Sequence, residues 1–192
     1  MNKAQKNKAQ RINFRKRCDT FTLRLHIVVS GVWFFMFRID QNPAAYALVA
    51  GSSQYPNIKG RVDFYDTYGG TLLVVSVYGI DDDLVNVNHG FVGFHVHEGA
   101  SCTGNAQDPF ANAGGHYNPE NTQHPAHAGD LPPLLIHNGI AWMAVYTGRF
   151  HPEDVIGKTV IIHGMSDDFH TQPSGDSGMK IACGEIKAWE YS

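Results

Sequence analysis

From residue 44 onward the sequence predicts an all-β domain, a sandwich or barrel of short antiparallel strands. Three observations carry this reading. β-favouring runs recur with turn residues between them, no stretch after residue 40 sustains a helical apolar period, and Tyr68-Gly69-Gly70 and Asn138-Gly139 sit where hairpin turns belong. Among these residues only HPEDVIG, at 151–157, has the makings of a helical turn.

The runs follow one another along the chain. AYALVAGS (45–52) opens the series, and NIKGRVDFYDT (57–67) alternates Val62 and Phe64 with Asp63 and Tyr65, the pattern of a strand with one wet face. TLLVVSVYG (71–79) follows the Tyr-Gly-Gly turn. In FVGFHVHE (91–98), Phe94, Val96 and Val92 project to one face while His95 and His97 project to the other. GIAWMAVYTGRF (139–150) follows Asn138, KTVIIHG (158–164) is apolar up to His163, and MKIACGEIKAW (179–189) closes the series. Two connections break the rhythm, 98–134 and 164–178, both polar and rich in Gly, Pro, Asn and Asp. Long ordered loops are usually functional, so these are read as two functional loops.

At 192 residues the chain is long enough for one well-buried domain, and its charge is unevenly laid out. Residues 1–38 hold nine of the fifteen Lys and Arg and one acid, Asp19, whereas residues 39–192 hold six bases and seventeen acids, a net of −11. An acidic body argues against a nucleic-acid partner, because phosphate binding needs a basic face. Residues 1–38 are therefore read as a leader and 39–192 as the functional domain. The thirteen uncharged residues between Arg24 and Arg38 fall short of the about 20 that span a bilayer, but they suit a signal or a short anchor. Export or a cell-surface position follows if the leader is real, with membrane contact confined to it. A cytoplasmic protein follows if translation starts at Met36.

Candidate chemistry lies in the histidines. Two imidazoles side by side on a rigid strand, His95 and His97, suit a metal ion; the alternative is one exposed and one hydrogen-bonded core histidine. In GGHYNPENTQHPAHAGDLPPL, His116, His124, His127 and Asp130 fall within fifteen residues and form the donor set of a tetrahedral zinc site. Any one of them alone would read as a solvated loop residue. With His163 at the end of TVIIHG, six of the eleven histidines enter one reading. His26, His89, His137, His151 and His170 are surface or loop residues, and only His170 has a position compatible with facing a channel. Of the three cysteines, Cys18 lies in the leader, leaving Cys102 and Cys183 as two buried thiols or as a bridge. A bridge would close a loop of roughly 80 residues and stabilise the fold by about 4 kcal/mol.

GFHVHEG, GGHYNP, HAGDL, VIIHGMSDD and KIACG together resemble, in order, the signature segments of copper–zinc superoxide dismutases, with GGHYNP and the early Cys102 nearest the bacterial branch. The resemblance covers about residues 44–190. It implies a Greek-key, immunoglobulin-like barrel or sandwich of about eight antiparallel strands. It implies copper held by His95, His97, His116 and His163, and zinc held by His116, His124, His127 and Asp130, with His116 shared as an imidazolate. Asp167 matches the family's aspartate that bonds ligands of both metals, and Cys102 and Cys183 match its disulfide. Superoxide is then the substrate, His116 a proton store and Lys180 a cation for the incoming anion; the assembly is a monomer or a homodimer.

Three departures from the family accompany the resemblance. Lys180 stands where the family has an arginine, which keeps the charge and loses the fork of donors that orients a small anion. His124 and His127 are only three residues apart, so the zinc loop is short, and Pro125 and Pro132 are available to repack it. The second long loop is also short, which leaves a more open copper site. Two rival readings are a dismutase-like domain that binds copper and zinc without turnover, and a zinc hydrolase. The hydrolase reading lacks the helices and the about 250 residues of a typical α/β barrel scaffold.

Overall fold

The computed structural model describes residues 42–190 other than Asn88. The leader at 1–38, with the export and membrane readings that rest on it, lies outside the described residues. Among the described residues nine strands form one antiparallel sheet: β1 (Ala45–Gly51), β2 (Lys59–Thr67), β3 (Gly70–Tyr78), β4 (Phe91–Val92), β5 (Phe94–His97), β6 (Leu134–His137), β7 (Ile140–Thr147), β8 (Thr159–His163) and β9 (Lys180–Ala188). Their order in space is β4-β6-β7-β3-β2-β1-β9-β8-β5. The two outermost strands, β4 and β5, are consecutive in the chain with Gly93 between them, so the sheet curls nearly closed on itself. β3 lies beside β7 and not β4, and β9 lies between β1 and β8, a non-sequential Greek-key order.

Register explains the core. Ala47 pairs with Val62, Val62 with Val75, and Phe64 with Leu73, and all five are fully buried. On the far side Ala47 pairs with Ile186, which is also buried. A period of two therefore points one face of every strand into a single interior. Burying each such Val, Leu, Ile or Phe contributes about 1.5–3 kcal/mol.

The observed elements depart from the sequence reading in three places. FVGFHVHE is two strands and not one, because the chain changes neighbours at Gly93: β4 pairs with β6 and β5 with β8. This raises the strand count to nine. Leu134–His137, which starts at the last residue of the first predicted loop and belongs to none of the predicted runs, is β6, too short a run to stand out beside the Pro-rich segment before it. Asp82–Val87 forms a six-residue helix, shorter than the window over which an apolar period can be recognised. HPEDVIG supplies the single turn expected of it, Pro152–Val155. There the Asp154 carboxylate accepts the His151 backbone N–H at 2.8 Å.

The fold brings the first long loop onto the free edge of β5. Val96 donates its N–H to Gly129 O (2.9 Å) and accepts from Tyr117 N–H (2.8 Å), while Glu98 N–H reaches Gly115 O (2.9 Å). Two isolated bridges extend this zipper, His95 with Asp130 and His97 with His116. The close approach requires glycine at 129, where a Cβ would lie 2.2 Å from Val96 O. The start of the loop is fixed to β9 by the Cys102–Cys183 disulfide, with the two Cα atoms 5.6 Å apart. Both faces of β5 are consequently buried, Phe94 and Val96 in the barrel and His95 and His97 beneath the loop.

Candidate metal centre

Strand alternation and the loop zipper produce two contiguous clusters. His95, His97, His116 and His163 form one; His116, His124, His127 and Asp130 form the other, and within each cluster the ligand atoms lie within 4.8 Å of one another. All seven residues are buried, and His116 belongs to both groups. Every metal-ligand candidate named from the sequence is therefore brought together.

Hydrogen bonds fix which nitrogen of each ring faces inward. A carboxylate can only accept, so His95 Nε2–H donates to Asp167 Oδ2 (2.7 Å) and His124 Nε2–H donates to Asp167 Oδ1 (3.0 Å). Asp167 thus spans the two clusters from behind. His97 Nδ1–H donates to Gly114 O (2.9 Å) and His163 Nδ1–H to Gly178 O (3.2 Å). These bonds turn the remaining nitrogens inward as lone pairs.

The inward nitrogens call for cations. His97 Nε2 and His163 Nε2 lie 3.2 Å apart, and with both Nδ1 atoms committed to carbonyls neither has a proton to offer the other. His95 Nδ1 and His116 Nε2 are buried with no hydrogen-bond partner. In the second cluster His116 Nδ1, His124 Nδ1 and His127 Nδ1 surround Asp130, at 2.7 Å from Oδ1 and at 3.1 and 3.2 Å from Oδ2. The His124 contact makes no hydrogen bond, because its proton is on Nε2, so a lone pair faces a carboxylate. Buried unpaired acceptors cost free energy that a metal ion in each cluster would remove. The residues present therefore fit two cations of the kind that accept imidazole.

Electrostatics prepare the same rings. Burial, reinforced by His163 and His116, holds His97 well below the ordinary imidazole value. Burial and then His95 lower His163 to about 3, and burial lowers His95 despite the Asp167 bond. These imidazoles are neutral at neutral pH and can ligate without first losing a proton. Burial pushes the Asp167 carboxyl up, but hydrogen bonds from His95, the Phe169 N–H and His124 bring it down to about 2. Burial likewise raises Asp130, and the hydrogen bond from His116 with the charges of His116, His124 and His127 reverses it to a lowered value.

A family profile described as copper/zinc superoxide dismutase (SODC) matches residues 58–186. The chain belongs to the copper/zinc superoxide dismutase family. It is 37% identical over 169 residues to "Superoxide dismutase [Cu-Zn]" of Legionella pneumophila, covering 84% of this chain and 96% of that one. The Pasteurella multocida protein of the same name is 35% identical over 136 residues, 62% of this chain and 73% of the relative. Among solved structures, the Cu/Zn superoxide dismutase from Brucella abortus superposes with a TM-score of 0.63 at 27% identity, over 74% of this chain and 99% of that one. The match favours bacterial relatives and supports a catalytic domain over a metal store, and copper and zinc are the metals of the family.

Several supporting residues were missed in the sequence. Gln172, in the second long loop, clamps the backbone of the loop that carries His124: its Oε1 accepts from His124 N–H (3.0 Å) and its Nε2 donates to His124 O (2.7 Å). Arg149 donates to the carbonyls of Pro125, His127 and Asp130 at 3.0–3.2 Å. Gly175 has φ +69 and packs where a Cβ would sit 1.9 Å from Asp167 Oδ1. Backbone clamps leave no local motif; the one cue was that residues 39–192 contain only two arginines, Arg61 and Arg149. His170, the loop histidine compatible with a channel, is exposed and bonded to Asp168 of its own loop.

Gln172 holds the His124 backbone at both its N–H and its carbonyl. Gln172→Ala is expected to lower zinc affinity by about 10- to 100-fold, the range for loss of a supporting contact around a metal site. Competition with a chromophoric chelator measures this. Unchanged zinc affinity would show that Arg149 and Asp130 hold the loop without it.

Proposed function

We propose that this protein dismutates superoxide, 2 O2•− + 2 H+ → O2 + H2O2, with His95, His97, His116 and His163 as the copper ligands and His116, His124, His127 and Asp130 as the zinc ligands. The observation that carries the reading is the shared ring of His116, which has Nδ1 in one cluster and Nε2 in the other. Copper, when bound, supplies a centre that accepts an electron from one superoxide and gives it to the next, while zinc supplies fixed positive charge without redox change.

The chain's own residues do the rest. Asp167 orients His95 and His124 together, so that displacement of one ring is felt by the other. The carbonyls of Gly114 and Gly178 keep Nε2 of His97 and His163 free of protons. His116 Nε2 is buried and unpartnered, and can accept a proton and return it to the peroxide dianion equivalent that the second electron produces. Lys180 lines the cleft above His97, His116 and His163 and offers that anion path a positive charge within a domain of net −11.

The test is reconstitution. Protein refilled with both metals is expected to remove superoxide catalytically, protein with zinc alone is not, and the oxygen-to-peroxide yield should be one to one. A doubly loaded sample that binds both metals and leaves superoxide to its spontaneous decay would favour the metal-store reading.

A further inference from the structure

Lys180 does not face the cleft as a free cation. Its Nζ pairs with Asp108 Oδ2 at 2.5 Å, and both residues line the cleft above His97, His116 and His163. Lys180 is the only lysine or arginine among the described residues lining that cleft. We infer that Asp108 is a built-in competitor for the anion: it holds Lys180 in a neutral pair and thereby sets how strongly the cleft attracts a small anion. This rests on the proposed dismutase site.

The pairing is constructed. Asp108 Oδ1 accepts the Phe110 N–H (3.0 Å), and the Asp108 N–H donates to Asn105 Oδ1 (3.0 Å). Its carbonyl accepts from Asn105 N–H (2.9 Å) and Ala111 N–H (3.1 Å). These four bonds fix the backbone and one carboxylate oxygen, leaving Oδ2 for the lysine. The Cys102–Cys183 bridge joins this loop to β9, the strand that begins with Lys180. Lys180 is 16% exposed and Asp108 38%, so water and a small anion reach the pair. An anion entering the cleft must share Lys180 with a carboxylate already seated on it. Asp108 is thus a positioning residue acting through Lys180, not a group that touches the reacting atoms.

Asp108→Asn removes the charge while its amide oxygen can still accept the Phe110 N–H, so the turn is retained. With copper and zinc bound, azide is the anion probe, followed by optical titration at copper, a reading independent of turnover. Asp108→Asn is expected to tighten azide binding about fivefold at low ionic strength. The gain should shrink by physiological salt, where the screening length is about 8 Å. Superoxide removal should rise in parallel and become more salt-sensitive. In a Lys180→Ala background the same substitution is expected to produce at most a residual fraction of that gain. Unchanged azide affinity, or an equal gain without Lys180, would overturn the assignment. If azide tightens as expected while no form turns over superoxide, the dismutase reading fails and the role of Asp108 stands.

Discussion

His163→Ala is expected to reduce superoxide removal by more than about 100-fold while the protein keeps its zinc. The asymmetry follows from the two clusters. His163 belongs only to the all-histidine group, whereas zinc would be held by His116, His124, His127 and Asp130, none of which bonds to His163. Loss of a supporting residue alone costs about 10- to 100-fold in metal affinity or activity, and a direct ligand should exceed that. The truncation leaves His97 Nε2 without the ring now 3.2 Å away and frees the Gly178 carbonyl, so some loosening of the second loop accompanies it. Metal analysis alongside the rate decides the outcome. Retention of copper and activity would remove His163 from the site, and loss of both metals together would make it a structural residue.

The strand histidines were legible because a period of two and a burial pattern act over four residues, which any sequence displays. His95 and His97 on one face, Phe94 and Val96 on the other, is such a case. The loop ligands were legible for a different reason: imidazoles and a carboxylate are costly to gather, so their density between 116 and 130 was informative before any contact was known. What escaped depends on contacts between distant segments. Gln172 meets His124 across 48 residues, Lys180 meets Asp108 across 72, and Arg149 serves carbonyls 19–24 residues away. A lysine read alone looks like a free cation; only its partner shows that the charge is already shared. The split of FVGFHVHE at Gly93 escaped for a related reason, since both halves have strand character and only barrel closure gives them different neighbours.

Replacing Cys102 and Cys183 together by alanine is expected to lower unfolding free energy by about 4 kcal/mol, the loop-entropy value for a closure of this length. The two residues are 81 positions apart, so the reduced unfolded chain regains a large conformational freedom. Cys183 is buried beside Phe110, Ala113 and Ile161, with Cys102 packed against them, and this small cluster loses apolar contact as well. Urea unfolding of the variant against oxidised protein, both free of metal, measures the difference without ligand-linked stabilisation. Function should follow unevenly. The bridged loop carries Gly114, whose carbonyl orients His97, and Asp108, which holds Lys180, whereas the Asp130 cluster is anchored separately by Arg149 and Gln172. Copper affinity should therefore weaken more than zinc affinity, while azide binding to the copper that is retained should tighten to the extent that Asp108 releases Lys180. An equal loss of both metals would mean that the bridge supports the whole loop as one unit, and an unchanged midpoint would show that the loop zipper on β5 is sufficient without it.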